Sequence, residues 1–297
     1  MTFRDFIPPV ITRMRAALRN RPAAPEPTPS SFDAALRMCG SGYSDDQLAQ
    51  VILTKSIAAA AQDVALVVGP FQTATTLLAV MTAAAQSRSH PLRVLDFGGA
   101  FGLSYFLAKQ RTRMPLAWAV VETPGFVKRS AGLETGELRF FDSVAAARTW
   151  LGNVDLAYTS GALQYTPSPE DTLASLLDLQ PGVLALLRCA FSRDNRIIEI
   201  QSSLLSENGP GPLPSNVQDR LLRYPRTFAS ESSMLEACER SHRLLAHVPS
   251  PVVERLVTGG QRLTCGDLYL WVHEHRDLAD TSATDPQGPG VTANGRP

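Results

Sequence analysis

From Pro91 onward the chain alternates short apolar runs with stretches of helical character. The runs at 93–96, 117–121, 138–141, 154–159 and 183–188 predict strands, and helices fall between them. That alternation implies a parallel sheet. The best-marked helix follows Pro167, with Ser168 in the cap position, Pro169 first, and Glu170 and Asp171 in the first turn. A weaker strand is expected at 197–201, then a helix from Ser230 to about Arg240, and last strands at 244–248 and 267–273. The stretch 208–215, dense in Gly and Pro, predicts a loop near the ligand edge that could serve as a lid.

Upstream the pattern is helical. Phe3, Phe6, Ile7, Val10, Ile11, Met14 and Leu18 follow a helical stripe interrupted by Pro8 and Pro9, so a helix is expected from there to about Arg19. Five arginines against Asp5 make this segment cationic. It reads either as a helix lying on an anionic membrane through residues 3–21 or as a helix packed on the domain or a partner. Its short apolar face favours packing. Prolines at 22, 25, 27 and 29 mark a linker. Ser44-Asp45-Asp46-Gln47 has a capping-box pattern that opens a helix through Leu48, Val51, Ile52 and Ile57 towards Ala61. A second helix is expected over 73–86. The expected division is an N-terminal helix and linker (1–31), a helical cover (32–90), a main domain (91–276), and a disordered tail (277–297) lacking core residues.

Composition narrows the function classes. The 297 residues are 44% hydrophobic, and 28 basic residues balance 28 acidic ones. No global field therefore draws the chain to nucleic acid, and the arginines and aromatics form no RNA-binding array. Cys39, Cys189, Cys238 and Cys265 are scattered, which suits free thiols in a reducing compartment. No run approaches the length of a spanning helix, and no apolar signal-peptide core stands at the N-terminus. A cytoplasmic location is expected, with oligomeric state open. His273-Glu274-His275 puts two histidines on one strand face, too few ligands for a metal site. No metal is expected.

The chemistry gathers around Arg93-Val94-Leu95-Asp96-Phe97-Gly98-Gly99-Ala100-Phe101-Gly102. An apolar run ends in an acid, a glycine-rich turn follows, and a helix begins at Leu103. This opens a nucleotide-binding βαβ unit. A dinucleotide motif wants a glycine where Ala100 stands and offers a helix N-terminus to a pyrophosphate. An acid two residues before the first glycine suits a cationic or hydroxyl-bearing ligand better. That favours the D-x-G-x-G-x-G turn of class I S-adenosylmethionine (SAM) methyltransferases, with one glycine replaced by Ala100. A glycine turn without a ligand is the third alternative.

In open α/β sheets ligands bind beyond the carboxyl ends of the strands. Strand one supplies Asp96, Gly98, Gly99 and Gly102. Strand two ends in Glu122, a carboxylate able to accept both ribose hydroxyls. Strand three ends in Asp142, which either accepts from an adenine amino group or caps the next helix. Strand four runs into Ser160-Gly161-Ala162-Leu163-Gln164-Tyr165, facing the sulfonium and the acceptor. There Tyr165 could orient or deprotonate an acceptor hydroxyl and Gln164 could hold one. Arg188, ending strand five, suits an acceptor carboxylate or phosphate, or a surface ion pair. Tyr43 could reach a ligand, though a simple turn accounts for it better.

Several matches together resemble one family. They are Asp5-Phe6-Ile7-Pro8-Pro9, Asp33-Ala34-Ala35 with Gly42-Tyr43 and Asp45, the Asp96 turn with Tyr105-Phe106, Val120-Val121-Glu122 with Pro124 and Phe126-Val127, Leu138-Arg139-Phe140, and Ser160-Gly161 with Leu163-Gln164-Tyr165. This set is similar to a bacterial family of class I SAM-dependent methyltransferases often associated with surface-polysaccharide loci. The resemblance spans most of residues 5–275. It implies an α/β, Rossmann-like, seven-stranded sheet with helices on both faces, plus an N-terminal helical extension. It also implies SAM as cofactor and a small-molecule or glycan acceptor. Cofactor residues would be Asp96, Gly98, Gly99, Gly102, Glu122, Asp142 and Ser160, with Gln164 and Tyr165 catalytic. Two departures lie near the acceptor side: Leu187-Arg188-Cys189-Ala190 replaces an Asp-Arg-Thr-Pro segment, and Arg226-Thr227 replaces an aromatic after Tyr224-Pro225. They leave open a binding module that has lost catalysis.

Overall fold

The computed structural model describes residues 29–40, 42–88, 90–193, 195–251, 257–258 and 261–274. The expected helix at 3–21, most of the linker, the tail and His275 lie outside the described residues.

Four helices come first: α1 (Phe32–Cys39), α2 (Asp46–Ala60), α3 (Val64–Val68) and α4 (Pro70–Gln86). The cap of α2 is one residue later than its capping-box pattern suggests. Asp45, not Ser44, is the N-cap, and its carboxylate accepts from the Leu48 N–H at 2.9 Å. A carboxylate there also meets the helix dipole and pairs with Arg220 at 2.6 Å.

The main domain then alternates β1 (Leu92–Phe97), α5 (Leu103–Thr112), β2 (Leu116–Val121), α6 (Pro124–Ser130), β3 (Leu138–Phe141), α7 (Val144–Leu151), β4 (Leu156–Ser160), α8 (Pro169–Leu177) and β5 (Val183–Leu187). Later come β6 (Ala190–Ser192), β7 (Ile197–Leu204), β8 (Leu221–Ser230), α9 (Glu231–Glu239), β9 (His242–Val248), β10 (Val257–Thr258), β11 (Gln261–Cys265) and β12 (Leu268–His273). Seven strands form one sheet in the order β3-β2-β1-β4-β5-β12-β9. The first five are parallel, and β12 runs antiparallel to both its neighbours. This is the expected seven-stranded layout of class I methyltransferases. Helices cover both faces. On one, α4 and α5 bury Ala79, Ala83 and Tyr105 against Val94, Trp118 and Tyr158. On the other, α7, α8 and α9 bury Ala147, Leu173 and Met234 against Leu95, Ala119 and Tyr269.

A second, five-stranded sheet, ordered β10-β11-β6-β8-β7, went unseen in the sequence apart from the start of β7. The β5–β12 pair runs on into the β6–β11 pair of this sheet. The chain leaves the first sheet at Arg188, whose φ is +55°, and returns at Gly266, whose φ is +115°. The Arg188 N–H donates to the Asp267 carbonyl at 2.9 Å across that kink. The antiparallel β7–β8 hairpin reaches over the carboxyl ends of β1 and β4. There, with α2, it closes a third apolar cluster that includes Leu48, Ile52, Phe101, Phe126, Leu222 and Tyr224.

The 208–215 loop belongs to this hairpin. Buried Lys55 on α2 donates to the Ser206 and Asn208 carbonyls, both at 2.7 Å. Ile52 packs about Gly209. The loop is thus tied down to α2. Among the described residues no helix is long and apolar enough to cross a membrane.

Candidate functional site

Asp96 is next to last in β1, with its side chain on the Val94, Trp118 and Tyr158 face, because strand residues alternate. It is 1% exposed. Its Oδ2 accepts the Trp118 indole N–H at 3.1 Å, whereas Oδ1 is buried without a hydrogen-bond partner among the described residues. Burial pushes this carboxyl up to about 7; the indole bond opposes that rise, and the charge of Glu122 adds to it. A half-satisfied buried carboxylate is costly. Its Oδ1 keeps the capacity to accept from a hydrogen-bond donor or to face a cation.

The turn after Asp96 is shaped for close approach. Gly98 has φ +71°, and a Cβ there would stand 2.1 Å from the Ala162 Cβ in the loop after β4. Gly99 is required for space rather than torsion: a Cβ would stand 2.5 Å from Asp96 Oδ2. Gly102 caps α5 in the left-handed region. Ala100, where the motif has glycine, also sits at positive φ, +49°. Its N–H donates to Glu122 Oε1 at 3.1 Å. Glu122 Oε2 accepts its neighbour Thr123 N–H at 2.9 Å. Burial raises the Glu122 carboxyl, against those two backbone donors. The structure therefore brings Asp96, Gly98, Gly99, Gly102 and Glu122 together on one edge.

Asp142 stands exposed at the end of β3. Its role as a helix cap is corrected: Ser143 caps α7, accepting from the Ala146 N–H at 3.3 Å. Ser has a shorter reach and closes the ring to the third residue of the helix.

Ser160 ends β4, and its Oγ accepts from Arg188 Nε at 3.0 Å. Arg188 also donates to the Ser160 carbonyl at 3.2 Å. The guanidinium thus bridges the ends of β4 and β5, where a surface ion pair was one expectation. Gln164 is buried; its Nε2 donates to the Arg188 carbonyl at 3.2 Å, and its Oε1 has no partner among the described residues.

Tyr165 donates from its hydroxyl to Gln201 Oε1 at 3.0 Å. Its ring meets Tyr43 at 4.8 Å and Tyr224 at 5.4 Å between centroids. Burial raises the Tyr165 phenol, although Arg226, Tyr43, Arg188 and Gln164 oppose the shift. A phenol held above its usual value stays protonated at neutral pH, and the one proton of Tyr165 is given to Gln201. Tyr43 stands in a short 3-10 turn, Gly42–Ser44, and its ring packs against both Tyr165 and Tyr224, which also touch each other.

Sequence reasoning missed Trp118 as the partner of Asp96, and missed Glu199 and Gln201, which the hairpin sets opposite Arg226 and Tyr224. The alternation of Ile198, Glu199, Ile200 and Gln201 was the available signal for the last group. Arg226, which departs from the expected aromatic, is buried and pairs with Glu199 directly opposite.

No family model matches the chain, and no curated protein matches it. Solved structures do align with it. A SAM-dependent methyltransferase from Clostridium acetobutylicum matches over 69% of this chain and 92% of its own, at 8% identity and TM-score 0.43. A SAM-bound amino pentose methyltransferase of calicheamicin biosynthesis from Micromonospora echinaspora matches over 69% and 92%, at 13% identity and TM-score 0.42. A sugar N-methyltransferase from a Streptoalloteichus species matches over 68% and 87%, at 14% identity and TM-score 0.39.

Proposed function

We propose that the chain is a cytoplasmic SAM-dependent methyltransferase acting on a small-molecule or glycan acceptor, within cell-surface polysaccharide biosynthesis as its family resemblance implies. The observation that carries the reading is the unpartnered Oδ1 of Asp96 beside the glycine turn. A cationic ligand would satisfy that atom and restore the charged carboxylate, whereas a pyrophosphate would be repelled. SAM is cationic at its sulfonium and its amino group, and so fits the donor set. Gly98, Gly99 and Gly102 would admit it against backbone, Glu122 would accept from the ribose hydroxyls, and Asp142 from the adenine amino group. Ser160 would line the methionine side. When bound, SAM supplies an electrophilic methyl group and leaves as a neutral thioether.

The protein's part in such a transfer is mainly alignment. Gln164 Oε1 would accept from an acceptor O–H or N–H, and the Tyr165 oxygen, whose own proton goes to Gln201, would accept from another and so orient it. Isothermal titration tests the reading: SAM should bind, and absence of heat at millimolar ligand would sink it.

A second reading is a binding module without turnover. It is motivated by Arg188, whose guanidinium occupies the acceptor edge over Gly161. Methyl transfer to any bacterial glycan fraction would reject it. SAM binding without turnover on such fractions would favour it.

A further inference from the structure

On β7, Glu199, Gln201 and Ser203 stand on one face, since strand side chains alternate. The antiparallel register sets Arg226 opposite Glu199 and Tyr224 opposite Gln201. Arg226 Nε donates to Glu199 Oε1 at 2.9 Å, and its guanidinium lies 4.7 Å from the centre of the Phe228 ring. Ser203 Oγ and the Tyr224 hydroxyl pair at 2.7 Å. Gln201 holds Tyr165, which itself stands on the loop after β4. The hairpin thus turns a polar wall towards the acceptor edge, while its far end, around Leu222 and Leu205, is apolar and buried. A face that served only for packing would be apolar throughout, because burying polar groups costs free energy.

The wall has unused capacity. Glu199 keeps 29% of its side chain exposed. Among the described residues, Glu199 Oε2 and the Gln201 amide N–H groups have no partner. Tyr165, bonded to Gln201, and Tyr43, packed on Tyr165, are both half-buried. The charge is balanced, for Glu199 already neutralises Arg226, so the wall does not select an anion.

We propose that this wall is the acceptor subsite and that it takes an uncharged sugar ring. Glu199 and Gln201 hold its hydroxyls, and the Tyr43 and Tyr165 rings cover its C–H face. The proposal rests on the methyltransferase reading above.

The test is saturation-transfer NMR on the full chain with S-adenosylhomocysteine present. The neutral probes are methyl α-D-mannopyranoside and methyl β-D-glucopyranoside, and the charged probes are D-glucuronate and glucose 6-phosphate. Neutral glycosides should receive saturation, and Gln201→Ala should weaken them roughly tenfold, the loss of one or two hydrogen bonds. SAM affinity, read separately by titration, should be unchanged in that variant. Glu199→Gln should act in the same direction. Because it strips buried Arg226 of its counter-charge, Gln201→Ala, checked by its melting curve, is the deciding variant. No saturation of either neutral glycoside by a chain that binds SAM overturns the subsite and leaves the cofactor reading standing. So does binding of the charged probes alone, lost in Arg188→Ala, or neutral binding that Gln201→Ala leaves untouched. Failure to bind SAM overturns the underlying reading instead.

Discussion

The two sides of the candidate site are built by opposite means. On the β1 side, backbone does the work: Gly98, Gly99 and Gly102 lie where a side chain would collide or strain, and the turn is held by the Ala100 N–H on Glu122. On the β7–β8 side, side chains do it: Glu199 on Arg226, Gln201 on Tyr165, Ser203 on Tyr224. A backbone surface suits a ligand that never changes, because nearly every substitution is excluded. A side-chain surface can be rewritten one residue at a time. The first side should therefore be brittle to mutation and the second adjustable.

The sharpest break of that contrast is Gly98→Ala. A left-handed alanine costs about 1–2 kcal/mol, and overpacking against Ala162 typically adds about 1–3 kcal/mol. A melting curve should record the loss at about 2–4 °C per kcal/mol. Adding Ala162→Gly should recover the overlap component and leave the torsional one. An unchanged melting temperature in the single variant would refute the close packing of the two loops.

Next come the two acids. Asp96→Asn and Glu122→Ala should each weaken SAM by roughly tenfold to a hundredfold, the scale of a charge-assisted hydrogen bond. Glu122→Gln should weaken it less, since an amide oxygen still accepts. Equal affinities in folded variants would remove both residues from the cofactor site. Asp96 also predicts a pH effect. Its folded carboxyl titrates at about 7 against an ordinary 3.8, so between those values the folded chain holds a proton that the unfolded chain has released. The ligand-free protein should lose stability as pH rises through that window. Asp96→Asn should flatten the slope in denaturant melts. SAM, being cationic, should bind more tightly as pH rises through about 7, and a flat profile would count against the contact.

On the other side, Lys55→Met should untie the 206–208 stretch at a cost of about 1–3 kcal/mol, since two carbonyls lose their donor. Limited proteolysis should then cut the loop first; resistance equal to wild type would show the tie to be dispensable. The smallest effect is expected for Ala100→Gly. It relieves a left-handed alanine but frees the unfolded chain, so the net change should stay within about 1 kcal/mol. A larger gain would mean that the turn is more strained than its φ of +49° implies.

The contrast also accounts for what was legible in the sequence. β2 and β5 appear as unbroken apolar runs, and β1 and β4 keep the apolar stretches Val94-Leu95 and Leu156-Ala157-Tyr158, because the centres of these strands are buried on both faces. Helix starts at Ser168 and Ser230 follow from local capping chemistry and stand as expected. The Asp45 and Ser143 caps were displaced by one residue because neighbouring side chains offer the same acceptor. β8 was invisible for a physical reason. Its sequence has Pro225 at the centre and arginines on either side, a pattern that argues against a strand. It survives because β6 pairs only with its last residues, at Ala229 and Ser230, so at Pro225 the strand has β7 alone as a neighbour. The Trp118 bond to Asp96 and the tyrosine group around Tyr43 depend on pairings between distant segments, which no local pattern encodes.

The position of β12 between β5 and β9 has a consequence for how the chain is made. During synthesis, Val183–Leu187 emerges as an entirely buried-type strand whose outer partner is Leu268–His273. Until that last strand leaves the ribosome, β5 presents an open apolar edge, and β9 has no place in the sheet. Such an edge invites pairing with another nascent chain. Synthesis halted just before Leu268 should therefore yield a sticky, chaperone-dependent intermediate. Completion of one strand would then seal the sheet and, through the kink at Gly266, fix the wall of the second sheet in the same step.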